Sequence, residues 1–374
     1  MALPAVRFRD VMAQSHLPAL DGLRAVAVLT VMFGHAEYPV RGVPADLGVD
    51  AFFVLSGFLI TRLLMREQEE TDTVSLSRFY ARRTIRIFPA YYAFLALNFA
   101  LDTFRNDRWS AALGLSAVTY TVNYYNAFNH HPSTSIAHAW SLGIEEQFYL
   151  LWPLLFLLVA RRGRHALVGS VVALALAAIV WRSYLTAIQT DVAYLYNAFD
   201  TRLDNLAVGC TLALIADVDR VRTLAERVAA RAWYPLVTLA ALLAVRKLVS
   251  DAVHYSVGFT TYALLVAILI VQLMQLTTTP LWRWLEHPVV KYLGTISYPM
   301  YLYHQLGDSV ARHTTEGRGP RFMMSVLATI LLASGSYHVI ERPFLKLKKR
   351  FAAGRRAEPA DVLPVSQSGA GRPG

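Results

Sequence analysis

Long apolar runs, separated by short basic stretches, dominate this chain of 374 residues. A bilayer core about 30 Å thick takes about 20 apolar residues of helix to cross. Runs of that order begin near Leu20, Leu47, Ile87, Trp140, Ala166, Arg202, Trp233, Tyr255, Tyr292 and Phe322. The spacing predicts an all-α fold, a polytopic transmembrane helix bundle of about ten spans. An eleventh, weaker run over residues 109–125 is interrupted by Gly114, Thr119, Thr121 and Asn123.

Charge separates ten spans from eleven, because Lys and Arg gather in cytoplasmic loops near span ends. With Arg7 and Arg9 inside and residues 109–125 not crossing, three basic clusters face the cytoplasm. They are Arg78, Arg82, Arg83 and Arg86; then Arg161, Arg162 and Arg164; then Arg220, Arg222, Arg227 and Arg231. A tail with Lys346, Lys348, Lys349, Arg350, Arg355 and Arg356 joins them, while only scattered cations such as Arg41 and Arg105 fall outside. Were residues 109–125 to cross, the second and third clusters would face outward. The expected arrangement is therefore ten spans in the cell (inner or plasma) membrane, both termini cytoplasmic, and residues 109–125 re-entrant or interfacial. Residues 1–16 form a cytoplasmic N-terminal segment, 17–345 the membrane domain, and 346–374 a basic, then disordered tail. The run from Leu20 carries Arg24 and His35 and lacks a small-residue cleavage site, so it does not read as a signal peptide.

Composition closes off other classes. Only 17% of residues are charged, against about 25% in soluble domains, so a disordered chain is excluded. The single cysteine, Cys210, excludes a disulfide scaffold and a thiolate zinc site. The net charge of +10 would suggest nucleic acid in a soluble protein. Here topology accounts for it, and no nucleic-acid partner is expected.

Ionisable residues inside spans tend to mark sites. Arg24 and His35 lie eleven residues apart in the first run. That is almost three helical turns, so both share one face, about 16 Å apart along the axis. Arg24 also reads as a snorkelling charge paired with Asp21, and His35 as a helix–helix hydrogen-bond residue. The second run carries Asp50 and the small pair Ser56-Gly57; packing is the favoured reading of Ser56. Arg78, Arg82, Arg83 and Arg86 precede Pro89, which is expected in the first turn of the third span. Their density reads either as a topology signal with lipid headgroups or as a phosphate site, since guanidinium forks match phosphate oxygens. Glu145 and Glu146 stand near the start of the fourth span, where acids can favour a helix N-terminus or reach into the bundle. Arg202 and Asp204 are expected to pair structurally. Tyr298 and Tyr301 share a face in the ninth span, which also holds a second intramembrane histidine, His304. His130 and His131 lack an acidic partner at ligand spacing, and no metal site is expected.

Together these motifs resemble the integral-membrane acyltransferase-3 family over about residues 17–344. The matching pieces are Leu20-Asp21-Gly22-Leu23-Arg24 with His35, Gly48 through Phe58, and Arg83-Thr84-Ile85-Arg86 with Pro89. Trp140-Ser141-Leu142 through Glu145 to Phe148, Ser297-Tyr298 through Tyr301 and His304, and Glu341-Arg342-Pro343 complete the set. Their order and number make the resemblance specific. Some members append an extracytoplasmic hydrolase-like domain, and this chain reads as a stand-alone member without one.

The resemblance implies a membrane O-acyltransferase that moves an acyl group, acetyl in the first place, from acyl-CoA to a hydroxyl-bearing acceptor. Arg24 and His35 are then essential, with His35 as general base and Arg24 steering CoA. Arg83 and Arg86, with Arg82 beside them, would dock the CoA phosphates at the cytoplasmic surface, and Glu145 would orient a histidine. Asp50, Ser56, Arg202, Tyr298 and His304 are further candidates. Acyl-CoA is a substrate here, and no permanently bound cofactor is expected. Partners are acyl-CoA, a sugar or other hydroxyl acceptor, and membrane lipids. A cell-surface polysaccharide or lipopolysaccharide sugar is the expected acceptor; a small secreted glycoside such as a macrolide is the alternative. The rival from another class is a proton-coupled secondary transporter. It predicts inverted repeats and paired broken helices, and neither is visible.

Overall fold

The computed structural model describes residues 6–14, 16–35 and 45–347. Arg41, the cations from Lys348 onward and the tail expected to be disordered lie outside the described residues. Among the described residues every regular element is helical. Ten principal helices correspond to the ten apolar runs: α1 (Pro18–His35), α2 (Ala45–Thr71), α3 (Leu76–Phe104), α4 (Trp140–Ala160) and α5 (Arg164–Ala187) come first. They continue with α6 (Leu203–Ile215), α7 (Tyr234–Leu248), α8 (Phe259–Leu276), α9 (Ser297–Thr314) and α10 (Arg318–Ser336).

Six segments are long and apolar enough to cross a membrane by themselves: 45–71, 76–104, 137–160, 164–187, 251–276 and 318–347. The other four runs fall short for visible reasons. Asp21 and Arg24 interrupt the apolar character of α1. The α6 and α7 helices have 13 and 15 residues, about 20 Å and 23 Å at about 1.5 Å per residue. The run from Tyr292 is divided between Pro288–Thr295 and the more polar α9.

Residues 109–125 do not form one helix. They fold as Ala111–Val118 and Val122–Phe128, of eight and seven residues, too short to span a bilayer core. Tyr120 turns the chain between them at φ +56° and stacks on Tyr91 at 4.0 Å. Gln147 of α4 anchors the turn by donating to Asn123 Oδ1 at 3.0 Å and to the Tyr120 carbonyl at 3.2 Å.

The third helix departs from expectation. It starts at Leu76, so the arginine cluster occupies its first three turns and Pro89 lies inside it. The cluster is thus a helix face. The N-terminal segment is also more than a surface tail: Phe8 and Val11 of the Phe8–Ala13 helix are buried, and Val6 N–H donates to the Gln275 carbonyl at 3.0 Å.

The central helix is α2, which packs on α1 and α6. Close approach explains its small residues: a Cβ on Gly57 would stand 2.0 Å from the Leu206 carbonyl oxygen, and one on Gly209 2.1 Å from that of Val54. Two buried ion pairs knot the same region. Arg202 pairs with Asp50 at 2.5 Å, and Asn205 also donates to Asp50 at 2.7 Å. Arg182 pairs with Asp204 at 2.7 Å, with Thr260 bonded to the same carboxylate. The expected Arg202–Asp204 pair is therefore not formed; each takes a partner on another helix. Residues two apart on one helix point in different directions, whereas facing helices bring opposite charges into line. Elsewhere apolar side chains such as Leu158 and Val180 face outward, as lipid-facing surfaces require.

Candidate active site

Two cavities stand out among the described residues. The first, of about 380 Å³, is lined by Arg24 of α1, Ser56 of α2, Arg82, Arg83 and Arg86 of α3, Glu145 and Tyr149 of α4, and Tyr298 and Tyr301 of α9. The 3.6-residue period selects these groups. Arg82, Arg83 and Arg86 fall on adjoining faces of one helix, and Glu145 and Tyr149 are i,i+4 neighbours on another.

Inside this cavity Arg82 and Arg83 have different surroundings. Arg82 lines this cavity and donates to Glu67 at 2.6 Å in a buried ion pair. The Arg83 guanidinium lies over the Tyr149 ring, 3.7 Å from its centre, a cation–π contact that fixes its plane. Tyr149 OH in turn lies 2.8 Å from Ser56 Oγ and 3.1 Å from Glu145 Oε2. Ser56 donates to Glu145 Oε1 at 2.7 Å. Glu145 therefore organises Ser56 and Tyr149, and through Tyr149 the Arg83 plane. Ser56 is likewise a hydrogen-bonding member of the wall and not simply a packing residue. The Nε atoms of Arg24 and Arg83 are buried without a hydrogen-bond partner among the described residues. Asp21 does not pair with Arg24 but with His16, at 2.9 Å. This cavity is a cationic recess with preset donors, suited to an anionic ligand.

The second cavity, of about 470 Å³, is polar and is lined by His35, His304, His131, Asn98 and Asp102 among others. His35 is the last residue of α1 and is exposed to this space. Asp102 is held by Trp109 Nε1 at 2.8 Å and Ser135 Oγ at 2.5 Å. His131 bonds Asn197 at 2.9 Å, and burial lowers its pKa from the ordinary histidine value. His130 pairs instead with Asp191.

Arg24 and His35 therefore open on different cavities, as their helical separation requires. The α9 helix contributes to both spaces, with the Tyr301 and His304 ring centres 5.6 Å apart. Tyr301 faces the first, with its OH donating to the His138 carbonyl at 2.8 Å and lying 2.7 Å from Ser141 Oγ. Its own carbonyl meets His304 Nδ1 at 2.7 Å, and His304 faces the second cavity. Asp50 and Arg202, by contrast, form the buried knot described above and touch neither cavity. His138 and Tyr149 were not singled out from sequence. Tyr149 was legible as the i+4 neighbour of Glu145; His138 lies just ahead of the Trp140-Ser141-Leu142 motif and carried no signal of its own.

A family model described as an acyltransferase domain matches residues 17–338. The chain is 30% identical over 355 residues to the peptidoglycan O-acetyltransferase OatA of Listeria monocytogenes, covering 89% of this chain and 56% of that one. It is 31% identical over 353 residues to YrhL of Bacillus subtilis, provisionally named a peptidoglycan O-acetyltransferase, covering 88% and 55% respectively. The chain thus spans little more than half the length of these relatives. No solved structure matches it significantly.

Proposed function

Because the chain belongs to the integral-membrane acyltransferase-3 family, we propose that it transfers an acetyl group from acetyl-CoA to a sugar hydroxyl of a cell-envelope polysaccharide, with His35 as general base. The observation that carries this reading is the pair of cavities to which Tyr301 and His304 contribute. One side offers cations for a phosphorylated donor; the other offers imidazoles and a polar lining of both charge signs for a hydroxyl acceptor.

Arg83 and Arg86 hold the CoA phosphates, and Arg24 adds a third cation to the same recess. The pantetheine arm extends from that dock towards Tyr301 and His304 and presents the thioester there. Placing thioester and hydroxyl together supplies much of the acceleration. His35 Nδ1 lies 2.9 Å from the Val31 carbonyl. A carbonyl only accepts, so Nδ1 carries the hydrogen and Nε2 is the basic atom. The acceptor oxygen attacks the acyl carbon as its proton passes to His35 Nε2. The carbon–sulfur bond breaks with its electrons on sulfur, and His35 returns the proton to the thiolate. Ten spans with both termini cytoplasmic, and residues 109–125 re-entrant, put the arginine cavity on the side where CoA is made. The names of the two relatives favour a cell-wall polymer as acceptor.

The test is transfer by purified protein in liposomes, with acetyl-CoA outside and peptidoglycan fragments inside, read as ester-linked acetate by mass spectrometry. Acetylated fragments that depend on His35 are expected. CoA release with unmodified fragments but acetylated small glycosides would move the acceptor to the alternative class. No acetyl-CoA turnover with any hydroxyl acceptor would overturn the proposal.

A further inference from the structure

Behind His35 stand two imidazoles for which the step above has no task. The His304 ring centre lies 4.9 Å from that of His35, and the His138 ring centre 4.7 Å from that of His304. His138 and His304 are each only 2% exposed. Backbone carbonyls fix the tautomers here as at His35. His304 Nδ1 lies 2.7 Å from the Tyr301 carbonyl and His138 Nε2 lies 3.0 Å from that of Leu302. These nitrogens carry hydrogen, and in the neutral rings the opposite nitrogens are bare acceptors. His304 Nε2 is buried with no hydrogen-bond partner among the described residues. His138 Nδ1 is likewise buried without a partner among the described residues, but it lies one ring further from His35. Buried polar atoms are seldom left unpartnered, and His304 Nε2 stands in the wall beside the reacting group.

We propose that His304 is a positioning residue for His35, accepting at its Nε2 a hydrogen bond from the His35 Nε2–H that exists only after His35 has taken the acceptor's proton. This rests on the His35 reading above and goes beyond it. At rest both Nε2 atoms are acceptors and nothing joins them. As the acceptor O–H breaks, its proton binds His35 Nε2 and the oxygen's electron pair forms the bond to the acyl carbon. The new N–H is shared, as a three-centre bond, between the acceptor oxygen it came from and His304 Nε2, so the second contact appears as charge develops on His35 and lowers the barrier without stabilising the resting state. When the carbon–sulfur bond breaks, His35 Nε2–H returns the proton to the CoA sulfur and the His304 contact is released. The Tyr301 carbonyl and the His138 ring hold His304 in place throughout.

The experiment is a double-mutant cycle in the liposome assay above, with CoA binding measured in parallel. His304→Asn keeps an N–H at the Nδ1 position for the Tyr301 carbonyl but has no atom at Nε2. His304→Gln returns an acceptor oxygen near Nε2. The Asn variant should lower kcat by about 10–100-fold, the worth of one hydrogen bond to a charged group, with the acetyl-CoA KM unchanged. The Gln variant should recover part of that loss. In a His35→Gln background the Asn change should have no further effect, because the group it acts through is gone. Independent losses that multiply in the double variant would refute the proposal, as would a full kcat in the Asn variant or a loss confined to donor KM. Should the Asn variant fail to bind CoA, His304→Phe in both His35 backgrounds closes the same cycle with the same criteria. His35→Gln retaining activity would instead sink the general-base reading itself; an inactive His35→Gln beside a fully active His304→Asn would sink only the role of His304.

Discussion

Replacing Arg82, Arg83 and Arg86 one at a time by alanine should give two different phenotypes, because Arg82 sits in a buried ion pair and, on the proposed function, Arg83 and Arg86 hold the donor phosphates. Arg83 is preset: its guanidinium lies 3.7 Å over Tyr149, and Tyr149 OH is fixed by Ser56 and Glu145. A charge-assisted hydrogen bond contributes about 1.5–3 kcal/mol, and 1.4 kcal/mol is tenfold in affinity. Loss of Arg83 or Arg86 should therefore weaken CoA binding by about 10–150-fold while thermal stability holds. Arg82 is different. Its 2.6 Å pair with Glu67 is buried on both sides, and removing one partner of a buried pair costs about 3–5 kcal/mol. Arg82→Ala should chiefly lower the unfolding temperature, with near-normal CoA affinity in the protein that remains folded. Direct titration of CoA is the required assay, since KM equals Kd only when chemistry is slow. Thermal unfolding in the same detergent supplies the second axis. Wild-type CoA affinity in both Arg83→Ala and Arg86→Ala would refute the phosphate assignment. Three variants with the same loss on both axes would refute the division of labour.

Other outcomes follow from the same geometry. His35→Ala and His35→Gln should each lose about 10²–10⁴-fold in transfer rate per correctly inserted molecule, the usual worth of a general base, while CoA still binds; Gln retaining more than about a tenth would remove His35 from that role. Asp50→Asn leaves the fully buried Arg202 charge unneutralised, so it should destabilise by about 3–5 kcal/mol, and an Asp50→Leu/Arg202→Met double variant should regain most of that; thermal unfolding of both checks it, and a wild-type transition in Asp50→Asn counts against the ion-pair account. A reporter fused after Arg164 should read cytoplasmic; an outward reading with the N-terminus inside would mean that residues 109–125 cross.

Local pattern alone settled a good part of this protein. Apolar runs of span length become helices because the backbone must satisfy itself in lipid, and each of the ten runs is helical. The eleven-residue step from Arg24 to His35, and the crowding of Arg82, Arg83 and Arg86, are properties of a single helix and were readable without neighbours. Span length was less secure: a run of hydropathy does not reveal that α6 stops after 13 residues or that α3 begins at Leu76, ahead of its arginines.

What only the tertiary structure decided was partnership. Asp50 finds Arg202 across 152 positions, Arg182 takes Asp204, and Glu145 reaches Ser56 across 89 positions. Helical periodicity says which residues share a face but not which other face they will meet, so the nearer Arg202–Asp204 pair looked equally good on paper. The same limit hid His138, whose meaning comes from lying against His304, and hid the split of Arg24 and His35 between two cavities. A cavity belongs to no single segment. It exists where several helix faces, each dictated locally, are brought together by packing between residues far apart in the chain.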